Sequence, residues 1–217
     1  MLAGMLDLTR QRWHDITPPI TPEIAVFPGD TPFRRDVLLA FAQGDSLELS
    51  SVRTTVHLGA HADAPSHYHP DGAPIEKRDL SRYLGLCEVR SALVPPRTRV
   101  TPAHLGHTPV RAPRLLIRTG TFPQPNAWTN DFAALSPGLV DWLGGQGVLL
   151  VGIDTPSVDL ADDAVLLSHA AIYRHDLAIL EGLVLDGVAD GLYLLVALPL
   201  PLVGADASPV RAILVAM

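Results

Sequence analysis

The sequence predicts an α/β or α+β fold built around a mixed β-sheet with flanking helices. Short apolar runs outnumber amphipathic helical stretches along the 217 residues. Those runs carry β-branched residues and are bounded by turn formers, the pattern of strands. Twenty prolines and seventeen glycines divide the chain into short elements, which leaves little room for long helices.

Residues 17–32 hold five prolines and read as extended chain, not helix. Residues 46–57 are strand-like: Leu47, Leu49 and Ser51 share one face, and Val52, Thr54, Thr55 and Val56 follow. Four later runs also read as strands: Arg114 to Arg118, Val148 to Ile153, Leu192 to Pro199, and Arg211 to Val215. Being short and apolar, they are expected to be buried on both faces. Ser136 to Leu143 reads as a helix, with a serine cap and a first-turn proline. Ser168 is expected to cap a second helix that ends at His175. Gly144-Gly145-Gln146-Gly147 precedes a strand instead of following one, so it reads as a turn and not a phosphate loop. Asp159, Asp162 and Asp163 lack the EF-hand spacing and read as a solvated loop. With no repeat or linker, residues 1–217 are expected to form a single domain, with 1–12 a peripheral N-terminal segment.

Composition narrows the function. Hydrophobic residues make up 47% and charged residues 18%, as in a globular protein. A formal charge of −7 leaves no basic stripe for nucleic acid. Cys87 is the only cysteine, which rules out an internal disulfide and is expected in the core. No window reaches the roughly 18 apolar residues of a membrane span, and Met1 to Arg10 does not read as a signal peptide. A soluble cytoplasmic protein is the expectation.

The chemistry concentrates at residues 57–67, His-Leu-Gly-Ala-His-Ala-Asp-Ala-Pro-Ser-His. His57, His61, Asp63 and His67 offer imidazole nitrogens and a carboxylate, ligands that suit zinc or manganese. Residues four apart on an extended strand lie about 13 Å apart, so the backbone must bend between His57 and His61. Gly59 permits the bend, and Pro65 stops a helix from running through the segment. A loop after the preceding strand is the expected home. Glu181 lies inside the apolar run 177–185, where an ionised carboxylate is costly unless paired or metal-bound. The alternative is a strand end that turns Glu181 to water. His169 carries a weaker signal, and His14, His69, His104, His107 and His175 carry none beyond ordinary structure.

These residues sit in a wider set of blocks. They include Asp-Ile-Thr-Pro-Pro at 15–19, Pro-Gly-Asp-Thr-Pro at 28–32 and His-Tyr-His-Pro-Asp-Gly-Ala-Pro-Ile at 67–75. Further on come Gly-Ile-Asp-Thr-Pro-Ser at 152–157, Ala-Ile-Leu-Glu-Gly-Leu-Val-Leu-Asp at 178–186 and Asp-Ala-Ser-Pro-Val-Arg-Ala at 206–212. From about Trp13 to Arg211 the chain resembles the cyclase-like metal hydrolases, most closely their bacterial kynurenine formamidase (arylformamidase) branch. The resemblance implies a mixed-sheet fold, a homodimer and two divalent metal ions per chain, zinc first and manganese as the other candidate. It implies that His57, His61 and Asp63 hold one ion, that Asp63 and His169 hold the second, and that Glu181 touches both. It makes His67 the general acid/base for hydrolysis of N-formyl-L-kynurenine to L-kynurenine and formate in tryptophan degradation. Phe27 stands where that branch usually has a substrate-contacting Trp, and Ala60 where the superfamily often has Thr. Two alternatives remain open at this level: a related amidohydrolase acting on another amide such as isatin, and a metal-binding protein without catalysis.

Overall fold

The computed structural model describes residues 11–217. Most of the expected peripheral segment, residues 1–10, lies outside these, and so does the stretch read for a signal peptide. The strands are β1 (Trp13–Asp15), β2 (Arg34–Leu39), β3 (Leu49–Arg53), β4 (His61–Asp63), β5 (Leu84–Ser91), β6 (Arg99–Val100) and β7 (Arg114–Arg118). They continue with β8 (Ala134–Leu135), β9 (Leu150–Ile153), β10 (Ala178–Leu180), β11 (Gly191–Val196), β12 (Ala207–Pro209) and β13 (Ile213–Ala216). The α-helices are α1 (Pro65–Tyr68), α2 (Pro137–Gly144) and α3 (Leu167–His175). Among the described residues, no helix is long and apolar enough to cross a membrane.

Seven strands form one mixed sheet in the order β1-β13-β11-β5-β7-β9-β10. The pairs from β1 to β5 are antiparallel, and those from β5 to β10 are parallel. Side chains alternate between the two faces of a strand, and the core divides accordingly. Leu115, Ile117, Val151, Ile153 and Ile179 pack with Leu139, Leu143 and Ile172 of the helices. Leu116, Leu150, Ala178 and Leu180 face the other way, towards Ala60, Ala62 and Ala64. A second layer on that face is the short antiparallel pair of β4 and β12. Covered on both sides, β7 and β9 are buried at nearly every position, with Arg114 and Arg118 at the two ends of β7. The expectation fails for β11, which alternates between buried and half-buried residues because only one of its faces meets the core.

Local chemistry explains the helix ends. Ser136 caps α2, accepting from Leu139 N at 3.1 Å. Ser168 does not cap α3; it lies inside the helix, and its hydroxyl donates to Leu135 O at 2.7 Å. The cap is Asp159, whose carboxylate accepts from the backbone N–H groups of Ser168 and His169 at 2.9–3.0 Å. The aspartate cluster is therefore not a solvated loop. Asp159 is fully buried and also binds Arg99 at 2.9 Å, while Asp162 alone stays mostly in water. Arg99 neutralises the buried charge, which spacing along the chain does not reveal.

β2 and β3 form a ribbon that pairs only with itself within the sheets described. Leu49, Val37, Leu38 and Val52 on it are exposed. The strand expected over 46–57 shrinks to Leu49–Arg53, because Thr54 to Leu58 leave the ribbon for the site.

Candidate metal centre

Two close approaches build the site. Gly59 adopts φ +54°, the left-handed conformation that turns the chain between His57 and His61. The turn delivers His61 and Asp63 onto β4, not onto a loop as expected from sequence. His61 then exchanges two backbone hydrogen bonds with Glu181, N to O at 3.1 Å and O to N at 3.0 Å. Glu181 directly follows β10 and is buried, so the water-facing alternative is excluded. Gly182 is required beside it: a Cβ there would lie 2.1 Å from Gly59 O. α1 starts at Pro65 and carries His67, while α3 carries His169.

The acidic side chains converge on the imidazoles. Asp63 Oδ1 lies 3.0 Å from His57 Nδ1 and 3.4 Å from His61 Nε2. Asp63 Oδ2 lies 3.5 Å from His169 Nε2. Glu181 Oε2 is 3.3 Å from His61 Nε2, and Oε1 is 3.8 Å from His169 Nε2. Glu181 Oε1 also accepts from Val158 N at 2.6 Å. All five residues expected to bind metal are thus together.

The other nitrogen of each ring is already engaged. His57 Nε2 meets Asp206 at 3.0 Å, His61 Nδ1 meets Gly59 O at 2.9 Å, and His169 Nδ1 meets Asp159 at 2.9 Å. This fixes which nitrogen of each ring faces the carboxylates, as the outer partners of metal-bound histidines do. His61 Nε2 and Asp63 Oδ1 are buried with no directed hydrogen bond. Such atoms are costly unless a cation lies among them. Ligand-capable atoms of His61, Asp63 and Glu181 lie within 4.8 Å of one another, as do those of His57, Asp63 and His67. The donor set therefore fits a divalent metal. The second of these groups includes His67, which the sequence reading had kept apart from the ligands.

The electrostatics agree. Burial opposes a charge on His57, but the carboxylates of Asp63 and Asp206 beside its two nitrogens raise its pKa to about 9. Burial is likewise overcome at His169 by Asp159 and Asp63, and its pKa rises to about 10. Burial pushes the Asp63 carboxyl up, yet the hydrogen bond with His169 and the nearby rings of His57 and His61 hold it well below the ordinary range. Without metal the cluster attracts protons; these are the charges a metal ion replaces.

The cluster forms the floor of a cavity of about 550 Å³ that opens at the carboxyl ends of β9 and β10. This is the usual place for a ligand on parallel strands. Phe27, Phe122 and Trp128 line its wall, with Phe27 edge-on to Trp128 at 5.2 Å. Asp154 fixes the segment that carries Phe122. Its carboxylate accepts from Thr119 N at 2.9 Å, Thr119 Oγ1 at 2.7 Å and Gly120 N at 2.8 Å. Of Asp154, Asp159, Asp206 and Trp128, the sequence analysis singled out only Asp159, and that as part of a solvated loop. The first three stand in or beside quoted blocks, but only the fold shows what they touch.

The family model named Cyclase, described as "Putative cyclase", matches residues 14–160. The chain is 45% identical over 205 residues to the kynurenine formamidase of Bordetella pertussis, covering 94% of this chain and 98% of that one. It is 44% identical to the kynurenine formamidase of Bordetella petrii over the same shares. A solved structure of a potential metal-dependent hydrolase with cyclase activity superposes with a TM-score of 0.81 at 26% identity, covering 94% of this chain and 98% of that one. Isatin hydrolase A from Labrenzia aggregata reaches the same TM-score at 21% identity, over 97% and 95% of the two chains, a likeness of fold alone.

Proposed function

The chain belongs to the cyclase family, among its kynurenine formamidases, and from that premise we propose that it hydrolyses N-formyl-L-kynurenine to L-kynurenine and formate. The observation that carries the reading is the placement of His67. It stands beside a buried His/Asp/Glu cluster at the floor of an aromatic-walled cavity. A storage site needs neither the wall nor a proton donor.

His57, His61, Asp63, His169 and Glu181 would hold two divalent ions, zinc in the first instance, with Asp63 and Glu181 shared. Such ions supply Lewis acidity, which makes hydroxide available near neutral pH and stabilises charge on the carbonyl oxygen. Phe27 and Trp128 present flat rings to the aryl group of the substrate. His67 takes a proton from the attacking water and returns it to the arylamine nitrogen as the C–N bond breaks. The carbon leaves as formic acid, which ionises to formate by releasing a proton to solvent, and the amine leaves neutral, so atoms and charge balance.

The protein acts, in this reading, as a single-domain protomer of a cytoplasmic homodimer. A two-stranded ribbon is marginally stable alone, and the apolar side chains on β2 and β3 are the surface a second copy would cover. The buried thiol of Cys87 suits a reducing compartment.

Purified protein is assayed against N-formylkynurenine, isatin and formanilide, with metal content and molar mass measured on the same sample. Preferential turnover of N-formylkynurenine by a protein holding two ions per chain is expected. Turnover of isatin alone overturns the substrate assignment, and turnover of nothing by fully loaded protein overturns the enzyme reading.

A further inference from the structure

We infer that Asp206 is a positioning residue that orients His57 and His67 together through a single carboxylate oxygen; this rests on the formamidase reading above. Asp206 Oδ2 lies 3.0 Å from His57 Nε2 and 3.4 Å from His67 Nδ1. The two rings lie side by side, with centroids 4.2 Å apart. No other carboxylate reaches the ring of His67 within ion-pair distance among the described residues.

The backbone holds Asp206 in place independently of its side chain. Its carbonyl accepts from Ala64 N at 2.8 Å, and the next residue, Ala207, stands opposite Asp63 in the β4–β12 pair. The pair that carries the candidate ligand Asp63 therefore also carries the carboxylate that faces His57 and His67.

The chemistry of imidazole gives the contact its purpose. A neutral ring has one N–H, and the partner that accepts from it selects the tautomer. With Nε2–H donated to Asp206, His57 turns the lone pair of Nδ1 to Asp63, on the side where a metal belongs. With Nδ1 turned to the same oxygen at ion-pair distance, His67 keeps Nε2 as the nitrogen that takes and returns a proton. Asp206 thus separates two roles that neighbouring histidines of one segment could otherwise exchange. Its side chain is 47% exposed, so an incidental surface contact is the competing account.

The test compares full-length wild type with Asp206→Asn and Asp206→Ser, each loaded with zinc. Three measurements are made: kcat and KM for N-formylkynurenine, zinc affinity by competition with a chromophoric chelator, and ring tautomers by long-range proton–nitrogen NMR. Wild type is expected to carry Nε2–H on His57 and Nδ1–H on His67. Both variants are expected to lose those fixed tautomers and to lower kcat or zinc affinity about 10–100-fold, with KM little changed. A folded variant with wild-type tautomers, kcat and zinc affinity overturns the inference. If wild type fails to hydrolyse N-formylkynurenine, the substrate reading falls; the tautomers and zinc affinity still decide the role of Asp206.

Discussion

Replacing Gly182 with Ala should damage both the fold and the metal centre, and the structure sets the size of the effect. Gly182 adopts φ +64°, where an L side chain costs about 1–2 kcal/mol. The new Cβ would lie 2.1 Å from Gly59 O and 2.8 Å from Gly59 C. Ordinary contact between heavy atoms is about 3.5 Å, so the backbone of one segment must retreat. Overpacking of this kind adds about 1–3 kcal/mol, and the sum is about 2–5 kcal/mol. The segments forced apart are those that bring His61 and Glu181 together. Gly187→Ala is the control: its φ is +73°, with nothing within 4 Å of the added carbon. It should lose only the conformational cost, about 1–2 kcal/mol. Thermal unfolding reads the difference, since a chain of this size loses about 2–4 °C per kcal/mol. Metal content is measured on the same samples. Equal melting temperatures with full metal in both variants would refute the close approach as the element that assembles the site.

His67→Ala should lower kcat by about 10²–10⁴-fold while metal content holds, and metal lost in step with activity would make His67 a ligand instead. Glu181→Gln should reduce metal occupancy and activity together, since its carboxylate is buried beside His61 and His169; wild-type values for both would remove it from the centre. Phe27→Trp should change KM for N-formylkynurenine more than kcat, because Phe27 lines the aromatic wall and belongs to neither the ligand set nor the proton-transfer group; a selective fall in kcat would contradict this. Burial pushes the Glu88 carboxyl up, but Arg90 and Arg111 outweigh it and hold the pKa below its ordinary value. Its contribution to stability is therefore complete above about pH 4.3, the unfolded value, and is lost as pH falls through the lower folded value. Acid unfolding curves of wild type and Glu88→Gln should converge below that window, and a constant gap at every pH would show that the charge has no part in it.

The sequence by itself determined the sheet class, the strand at Arg114–Arg118 and its apolar neighbours, the capped helix after Ser136, and the metal-competent segment. These are legible because periodicity, caps and ligand chemistry are local properties of the chain. It also marked Glu181 as anomalous, since a carboxylate in an apolar run needs a partner wherever the run folds. The family resemblance, not the spacing, attached His169 to the same centre and separated His67 from the ligands. Tertiary structure alone decided the rest. Asp159 reads as a solvated acid until α3 and Arg99 arrive to pair with it. Ser168 reads as a cap until Asp159 takes that role from outside the helix. Asp206 is 149 residues from His57 along the chain, and the β4–β12 pairing brings them together. A hydrogen bond depends on distance in space, and sequence separation carries no information about it once the chain has folded back on itself.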